Sequence, residues 1–487
     1  MKKTEALKRV IALHIDFVSV LLQLALYAYA WFTVYYPVLH APRYNQQGFY
    51  LGEGLVLYHR GHVLVLFVYF LLLVFFTRTY GAGRTGYQLP MRVFLSQIFA
   101  LLLANTITYF QLSLMQNWIV AAKPMVLLTL AQLAVAFLWA YVADAVYRAA
   151  FPARTLLLVW GDYPADEIEN KFHSVRGRYR IERRINISEG EDAVERAMDE
   201  GYGGVILWDI PTPVRNRLLK ACYAKQLRAY VMPKIPDVLV KGAEEMHLFD
   251  TPIFMVKDYA IRVDERFAKR CIDLVCAVVL LVVLSPVMLV SALIIRLSDG
   301  GPVLYRQKRC TLHGREFEIL KFRSMRVDAE RDGVARLAAK DDERITPFGK
   351  FIRTCRIDEL PQLFNIIKGE MSFIGPRPER PEIIAQYLES MPEFAYRMRV
   401  KAGLAGYAQV YGKYNTTPYD KLKLDLTYIE NYSVWLDLKL MLLTLRILFT
   451  PESTEGVGEE QVTALRTDAG AAKTGADAAG DGAAGEG

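Results

Sequence analysis

Cys271 to Leu297 reads CIDLVCAVVLLVVLSPVMLVSALIIRL, an apolar run of bilayer-spanning length with Ser285-Pro286 at its centre. Pro286 removes a backbone donor and crowds the preceding turn, so a helix should bend there. Ser285 can hydrogen-bond a carbonyl that the bend frees. Lys269 and Arg270 precede the run, and Arg296, Arg306, Lys308 and Arg309 lie within or beyond its end. A simple crossing would carry one of these cation clusters outward, against the bias that keeps basic residues inside. The pattern predicts a segment, residues 270–297, that enters the inner leaflet, turns at Ser285-Pro286 and returns. The rival, a kinked fifth span, would put everything after it outside the cell.

Upstream, four further apolar runs occupy about 12–38, 61–77, 91–113 and 125–147. Each approaches the ~20 residues that a helix needs to cross a bilayer. Basic residues gather at Lys2, Lys3, Lys8 and Arg9, at Arg78, Arg84 and Arg92, and at Arg148 and Arg154. The alternate connections hold Arg43 and Arg60, and Lys123. Both ends of this four-helix unit are therefore expected on the cytoplasmic side of the membrane. A GAGRTG match at Gly81–Gly86 follows a span rather than a strand, and reads as a turn.

Residues 151–260 read as a Rossmann-like α/β domain. Short strand candidates at Thr155–Trp160, Gly204–Trp208 and Ala229–Met232 alternate with helical periodicity, which argues for a parallel sheet. WGDYPAD (160–166) supplies no glycine-rich phosphate turn, so the domain is expected to be structural or regulatory and is a candidate homodimer surface. Residues 451–487, rich in Ala, Gly, Asp, Glu and Thr, are expected to be a disordered tail. The five cysteines form no CxxC pair and are expected as reduced thiols, with neither a disulfide framework nor a zinc site. A net charge of +7 suits anionic lipid and phosphate ligands, and nucleic acid is not an expected partner.

Chemistry concentrates in Arg353–Glu379, RTCRIDELPQLFNIIKGEMSFIGPRPE. Pro361 and Gly369 bracket a helix expected near 359–368. Asp358 and Glu359 would then sit at its N-terminus, where free amides and the dipole favour negative charge. That would keep Asp358 ionised, as a carboxylate nucleophile must be. Glu359 is placed to hold a hard cation such as Mg²⁺, which bridges to phosphates. Arg353, Arg356 and Arg377 could neutralise phosphate oxygens, with Lys321 and Arg323 of KFRSM (321–325) adding two cations. Pro376, Pro378 and Gln409 complete the candidate substrate-binding set. Taken alone, an Asp-Glu pair at a helix start is usually a cap, and GPRPE could be an ordinary proline-stiffened loop.

KRCIDLV (269–275), the LSP break, GGPVLYRQKR (300–309), FEILKFRSM (317–325), RIDELPQLFNIIKGEMSFIGPRPE (356–379) and WLDLKLMLLTLRIL (435–448) follow one another in a fixed order. Residues 265–450 resemble the catalytic region of the bacterial sugar transferases, the monotopic polyprenyl-phosphate hexose-1-phosphate transferases. With spans and an α/β domain in front, the chain resembles the long members that initiate exopolysaccharide or O-antigen assembly. The resemblance implies a mostly α catalytic domain, residues 261–450, anchored by a re-entrant broken helix. It implies that Asp358 attacks the sugar-linked phosphate of a UDP-sugar and expels UMP, while Glu359 binds Mg²⁺. Lys321, Arg353 and Arg377 match the family's active-site cations. Undecaprenyl phosphate then takes the phosphosugar. KAGLAGYAQ (401–409) departs from the pattern, with Ala402 and Ala405 where many relatives carry proline and threonine.

Three rival readings fit the sequence less well. A UDP-sugar dehydratase would use a Tyr-x-x-x-Lys pair, a spacing that Tyr419 and Lys423 have, but it also needs a dinucleotide loop that is absent. A non-catalytic scaffold would have no use for the phosphate-binding constellation. A transporter would need paired buried charges, whereas Asp16, Asn105 and Asp144 are isolated.

Overall fold

The computed structural model describes residues 2–44, 50–52, 54, 56–83, 86, 88–173, 178–326, 344–412 and 416–447. The expected tail, 451–487, lies outside them. The chain divides into two compact units, Met1–Pro233 and Lys234–Gly487.

The first unit opens with α1 (Lys2–Ala30), which runs on through a π-helical turn at Trp31–Tyr35 to His40. Then come α2 (His59–Tyr80), α3 (Pro90–Gln116) and α4 (Ala122–Ala150). All four are long and apolar enough to cross a membrane. Gly81 closes α2 in the left-handed conformation at φ 69°, so the GxGxxG match falls in a turn; Arg84 and Thr85 lie outside the described residues. One neutral polar cluster ties the bundle together. Tyr69 donates to Asn105 Oδ1 at 2.7 Å, and Asn105 Nδ2 donates to Gln132 Oε1 and Thr129 Oγ1, both at 2.8 Å. Gln132 Nε2 reaches Tyr69 Oη at 2.8 Å and the Gln23 carbonyl at 3.1 Å. Each of the four helices supplies a member, and hydrogen bonds of this kind pin helix faces together where no water competes.

After α4 comes a four-stranded parallel sheet: β1 (Arg154–Trp160), β2 (Tyr179–Asn186), β3 (Val205–Trp208) and β4 (Ala229–Val231), in the order 2-1-3-4. Helices α5 (Ala165–His173), α6 (Glu191–Met198) and α7 (Thr212–Ala224) connect them. Two apolar clusters, one around Leu157, Val159 and Leu218 and one around Leu156, Leu158 and Ile168, cover the sheet. The sequence pattern missed β2 because YRIERRIN is charged at four of its eight positions, Arg180, Glu182, Arg183 and Arg184, whose side chains are exposed. A Cβ on Gly161 would come within 2.1 Å of Asp209 O, and Tyr163 N donates to Asp209 Oδ2 at 3.2 Å. The loops after β1 and β3 thus meet where a doubly wound sheet otherwise opens its ligand crevice.

The second unit takes in 234–260: α8 (Ile235–Lys241) and the hairpin β5 (Glu244–Leu248) and β6 (Thr251–Met255), with Gly242 packed against Glu430. Next is α9 (Val263–Asp299), 37 residues long and helical through Pro286. Ser285 Oγ donates at 2.8 Å to Val282 O, the carbonyl left without a donor by Pro286. At one end of α9, buried Lys269 donates to Asp437 Oδ2 at 2.6 Å and to Ile374 O at 2.8 Å, and Arg270 caps the carbonyls of Ile366 and Ile367. At the other end, Ile295 packs with Phe322 and Ile352. Between them Val282, Val283, Leu289 and Val290 are exposed.

The remaining elements surround these two anchors. They are β7 (Leu304–Cys310) paired antiparallel with β8 (Glu316–Phe322), α10 (Pro347–Thr354), α11 (Gln362–Lys368), β9 (Ser372–Ile374) paired parallel with β10 (Gly403–Ala405), α12 (Pro381–Ser390), α13 (Pro418–Glu430) and α14 (Val434–Ile447). The Tyr419–Lys423 pair is a packing feature of α13: Lys423 bonds Asp420 at 2.7 Å and lies 4.7 Å over the Tyr419 ring. All five cysteines are free thiols.

Candidate active site

Thr346 caps α10 by accepting from Gly349 N at 2.9 Å. A Cβ at Gly349 would come within 1.9 Å of Ser324 O, so glycine lets α10 start directly against the KFRSM segment. After α10, Arg356 takes the left-handed conformation (φ 57°, ψ 20°), which few side-chain-bearing residues hold outside functional turns. It turns the chain into a single 3₁₀ turn, Ile357–Glu359, and α11 begins only at Gln362 with Pro361 as its N-cap. This corrects the expectation of a helix from 359 to 368 with the carboxylates at its N-terminus. Asp358 Oδ1 is buried with no hydrogen-bond partner, so no helix amide reaches it.

Charges take over that task. Asp358 and Glu359 are both buried. Glu359 Oε1 lies 2.7 Å from Arg377 Nη2, 3.4 Å from Lys321 Nζ and 3.7 Å from Arg356 Nη1. Burial alone would raise the Glu359 pKa, but Arg377, Lys321 and Arg356 outweigh it and hold the carboxyl well below its usual range. Asp358 moves the other way: burial and then the Glu359 charge push it up to about 6, against Lys321, Arg353 and Arg356. Four cations face two carboxylates, and the surplus positive charge suits an anionic ligand.

Arg377 is presented by a tightly bound loop. Gly375 N donates to Ala405 O and Gly403 N to Pro376 O, both at 2.9 Å, and Arg309 Nη1 donates to Pro378 O at 3.1 Å. Arg397 Nη2 donates to Arg377 O at 2.9 Å while its guanidinium pairs with Asp425 at 2.8 Å, both side chains buried. Pro376 and Pro378 thus act here through their carbonyls. Arg323 is buried just past β8, its amide bonded to Val303 O at 2.9 Å. Gln409 keeps both amide atoms buried and without a hydrogen-bond partner beside Gly406.

The structure gathers Lys321, Arg353, Arg356, Asp358, Glu359 and Arg377 as the sequence suggested. Arg397 and Asp425 were missed: they are 28 positions apart, in segments with no local signature, and only the fold makes them a pair. Among the described residues no three His, Cys, Asp or Glu side chains gather as a metal site. The donors on offer are two adjacent carboxylates, one with an unpartnered oxygen, and this fits Mg²⁺, which takes one or two protein carboxylates and fills its shell from phosphates and water.

Sequence comparison bears on the same region. The profile of the family described as Bacterial sugar transferase matches residues 264–451. The UDP-glucose:undecaprenyl-phosphate glucose-1-phosphate transferase of Caulobacter vibrioides is 39% identical over 197 residues, which are 39% of this chain and 73% of that protein. The chain belongs to the bacterial sugar transferase family. An uncharacterized sugar transferase of Bacillus subtilis, EpsL, is 40% identical over 187 residues, 38% of this chain and 90% of its own length. The UDP-N-acetylgalactosamine-undecaprenyl-phosphate N-acetylgalactosaminephosphotransferase of Aeromonas hydrophila is 37% identical over 238 residues, 48% of this chain and 55% of that one. The chain thus spans about half the length of some of the curated relatives that it matches.

Proposed function

We propose that the protein transfers a hexose-1-phosphate from a UDP-sugar to undecaprenyl phosphate and releases UMP, the first membrane step of exopolysaccharide or O-antigen synthesis. The observation that carries this reading is the unpartnered, buried Asp358 Oδ1 within a ring of cations. Asp358 attacks the sugar-linked phosphorus; an Asp358–phosphorus bond forms, the bond to the UMP phosphate breaks, and UMP leaves with the electron pair. A phosphate oxygen of undecaprenyl phosphate then attacks the same phosphorus and frees the Asp358 carboxylate. Arg377, Lys321 and Arg356, aligned on Glu359, and Arg353 beside Asp358 are positioned to stabilise the charge on the phosphoryl oxygens during both displacements. Mg²⁺ held by Glu359 would add Lewis-acid neutralisation of the diphosphate.

The two-substrate problem is met by α9. Both of its ends pack on the catalytic core while the apolar middle around Ser285-Pro286 is bare. This supports a re-entrant anchor that enters and leaves through the cytoplasmic leaflet and keeps the catalytic domain, with its soluble donor, at the cytoplasmic face of the inner membrane. The basic residues around the four N-terminal helices favour the same orientation. The test is UMP release from a panel of UDP-sugars by purified protein with Mg²⁺, with and without undecaprenyl phosphate. Release from one donor that is lost in Asp358→Asn supports the reading. Silence across the panel from folded protein in lipid contradicts it and favours a scaffold.

A further inference from the structure

Asn365 is fully buried in α11, and none of the chemistry above uses it. Its carboxamide lies along the edge of β8 that faces away from β7. Oδ1 accepts from Leu320 N at 3.0 Å, and Nδ2 donates to Glu318 O at 2.8 Å. One side chain therefore supplies the donor and acceptor that a neighbouring strand would offer to residues 318 and 320. Nδ2 also donates to Glu370 Oε2 at 2.6 Å, and the Asn365 carbonyl accepts from Glu370 N at 3.0 Å, which fixes the amide in one orientation. The next residue along β8 is Lys321, whose ammonium reaches Glu359 at 3.4 Å. The start of α11 follows Asp358 and Glu359 by two residues.

We infer that Asn365 is a positioning residue for phosphoryl transfer: it locks the strand that carries Lys321 to the helix that follows the two carboxylates. The β7–β8 hairpin has only two strands, and a ladder on one side leaves the other edge free to slide or splay. An apolar residue at 365 would leave the part-buried Leu320 N and Glu318 O without these partners and remove the described side-chain hydrogen bonds between β8 and α11. The catalytic geometry tolerates little of this, since a displacement near 1 Å can cost about 100-fold in rate. The inference rests on the reading of Asp358 as the nucleophile.

The test compares full-length Asn365→Ala with wild type in the kcat and KM of UMP release, alongside thermal unfolding. Leu443→Ala, a buried change on α14, serves as a control for lost stability alone. A misplaced Lys321 slows the displacement with little effect on donor binding, whereas lost stability alone leaves the kcat of the folded protein unchanged. The expected result is a kcat lowered about 10- to 100-fold with a smaller change in KM. If Asn365→Ala does not fold, Glu370→Gln, which loosens the amide without removing it, should show the same kcat-selective loss in smaller measure. A wild-type kcat in either folded variant, or the same kcat-selective loss in Leu443→Ala, overturns the inference. Absence of Asp358-dependent UMP release in wild type overturns the underlying reading instead.

Discussion

Two buried polar clusters divide the labour of this molecule. The one inside the four N-terminal helices, Tyr69, Asn105, Thr129, Gln132 and Gln23, is neutral, and its members spend their hydrogen bonds on one another. The one in the second unit is charged and unbalanced, with four cations around two carboxylates and one carboxylate oxygen without a hydrogen-bond partner. Neutral, mutually bonded groups specify how helices pack. A buried charge left without a partner destabilises the fold and persists where a ligand or a reaction completes it.

The largest expected effect follows from the unpartnered oxygen. Asp358→Asn should lower UMP release at least 1,000-fold, because an amide is no nucleophile here. The same variant should unfold at a higher temperature than wild type near pH 7.5, since it removes a buried, unbonded charge. Loss of activity together with loss of stability would instead give Asp358 a structural role. Next comes Arg377→Ala, which strips the shortest ion pair from Glu359 and should cost about 100- to 1,000-fold in kcat/KM. Arg377→Lys should recover little, because a single ammonium lacks the guanidinium fork.

The pH dependence should split the two clusters. Turnover should fall as pH drops through about 6, where Asp358 takes up a proton. Because its folded pKa lies above the unfolded value, its stabilising contribution is present in full below about pH 4 and is lost as pH rises through 6. The stability deficit of wild type relative to Asp358→Asn near pH 7.5 should therefore close as pH falls through that window, a comparison that thermal melts can read. The smallest effect belongs to the neutral cluster. Gln132→Leu should cost about 1 kcal/mol in bundle stability in detergent and leave UMP release unchanged. A drop in turnover there would break the division of labour.

Much of the charged cluster was legible because adjacent carboxylates, KFRSM and GPRPE fall together within one short region, although each alone reads as a cap or a loop. The four long apolar helices of the first unit were legible from length and hydropathy alone. The parts that were not legible depend on distance or on local overrides. Asn365 reads as an ordinary helix residue until β8 is laid beside it, and Arg397–Asp425 exists only once the 3₁₀ segment Pro392–Arg399 meets α13. The helix expected at 359 fails because Arg356 turns left-handed and Pro361 occupies the cap, so burial and neighbouring charge, rather than helix amides, set the Asp358 pKa. Strand β2 hid behind its arginines, which point to solvent from the sheet edge.

The most direct test of the central claim is mass spectrometry of the intact protein and its peptides after incubation with UDP-sugar and Mg²⁺ in the absence of undecaprenyl phosphate. The account predicts a hexose-phosphate increment on the peptide that contains Asp358, formed with stoichiometric UMP and discharged when the lipid acceptor is added. UMP release that waits for the acceptor, with no adduct on Asp358 at any time, would contradict it.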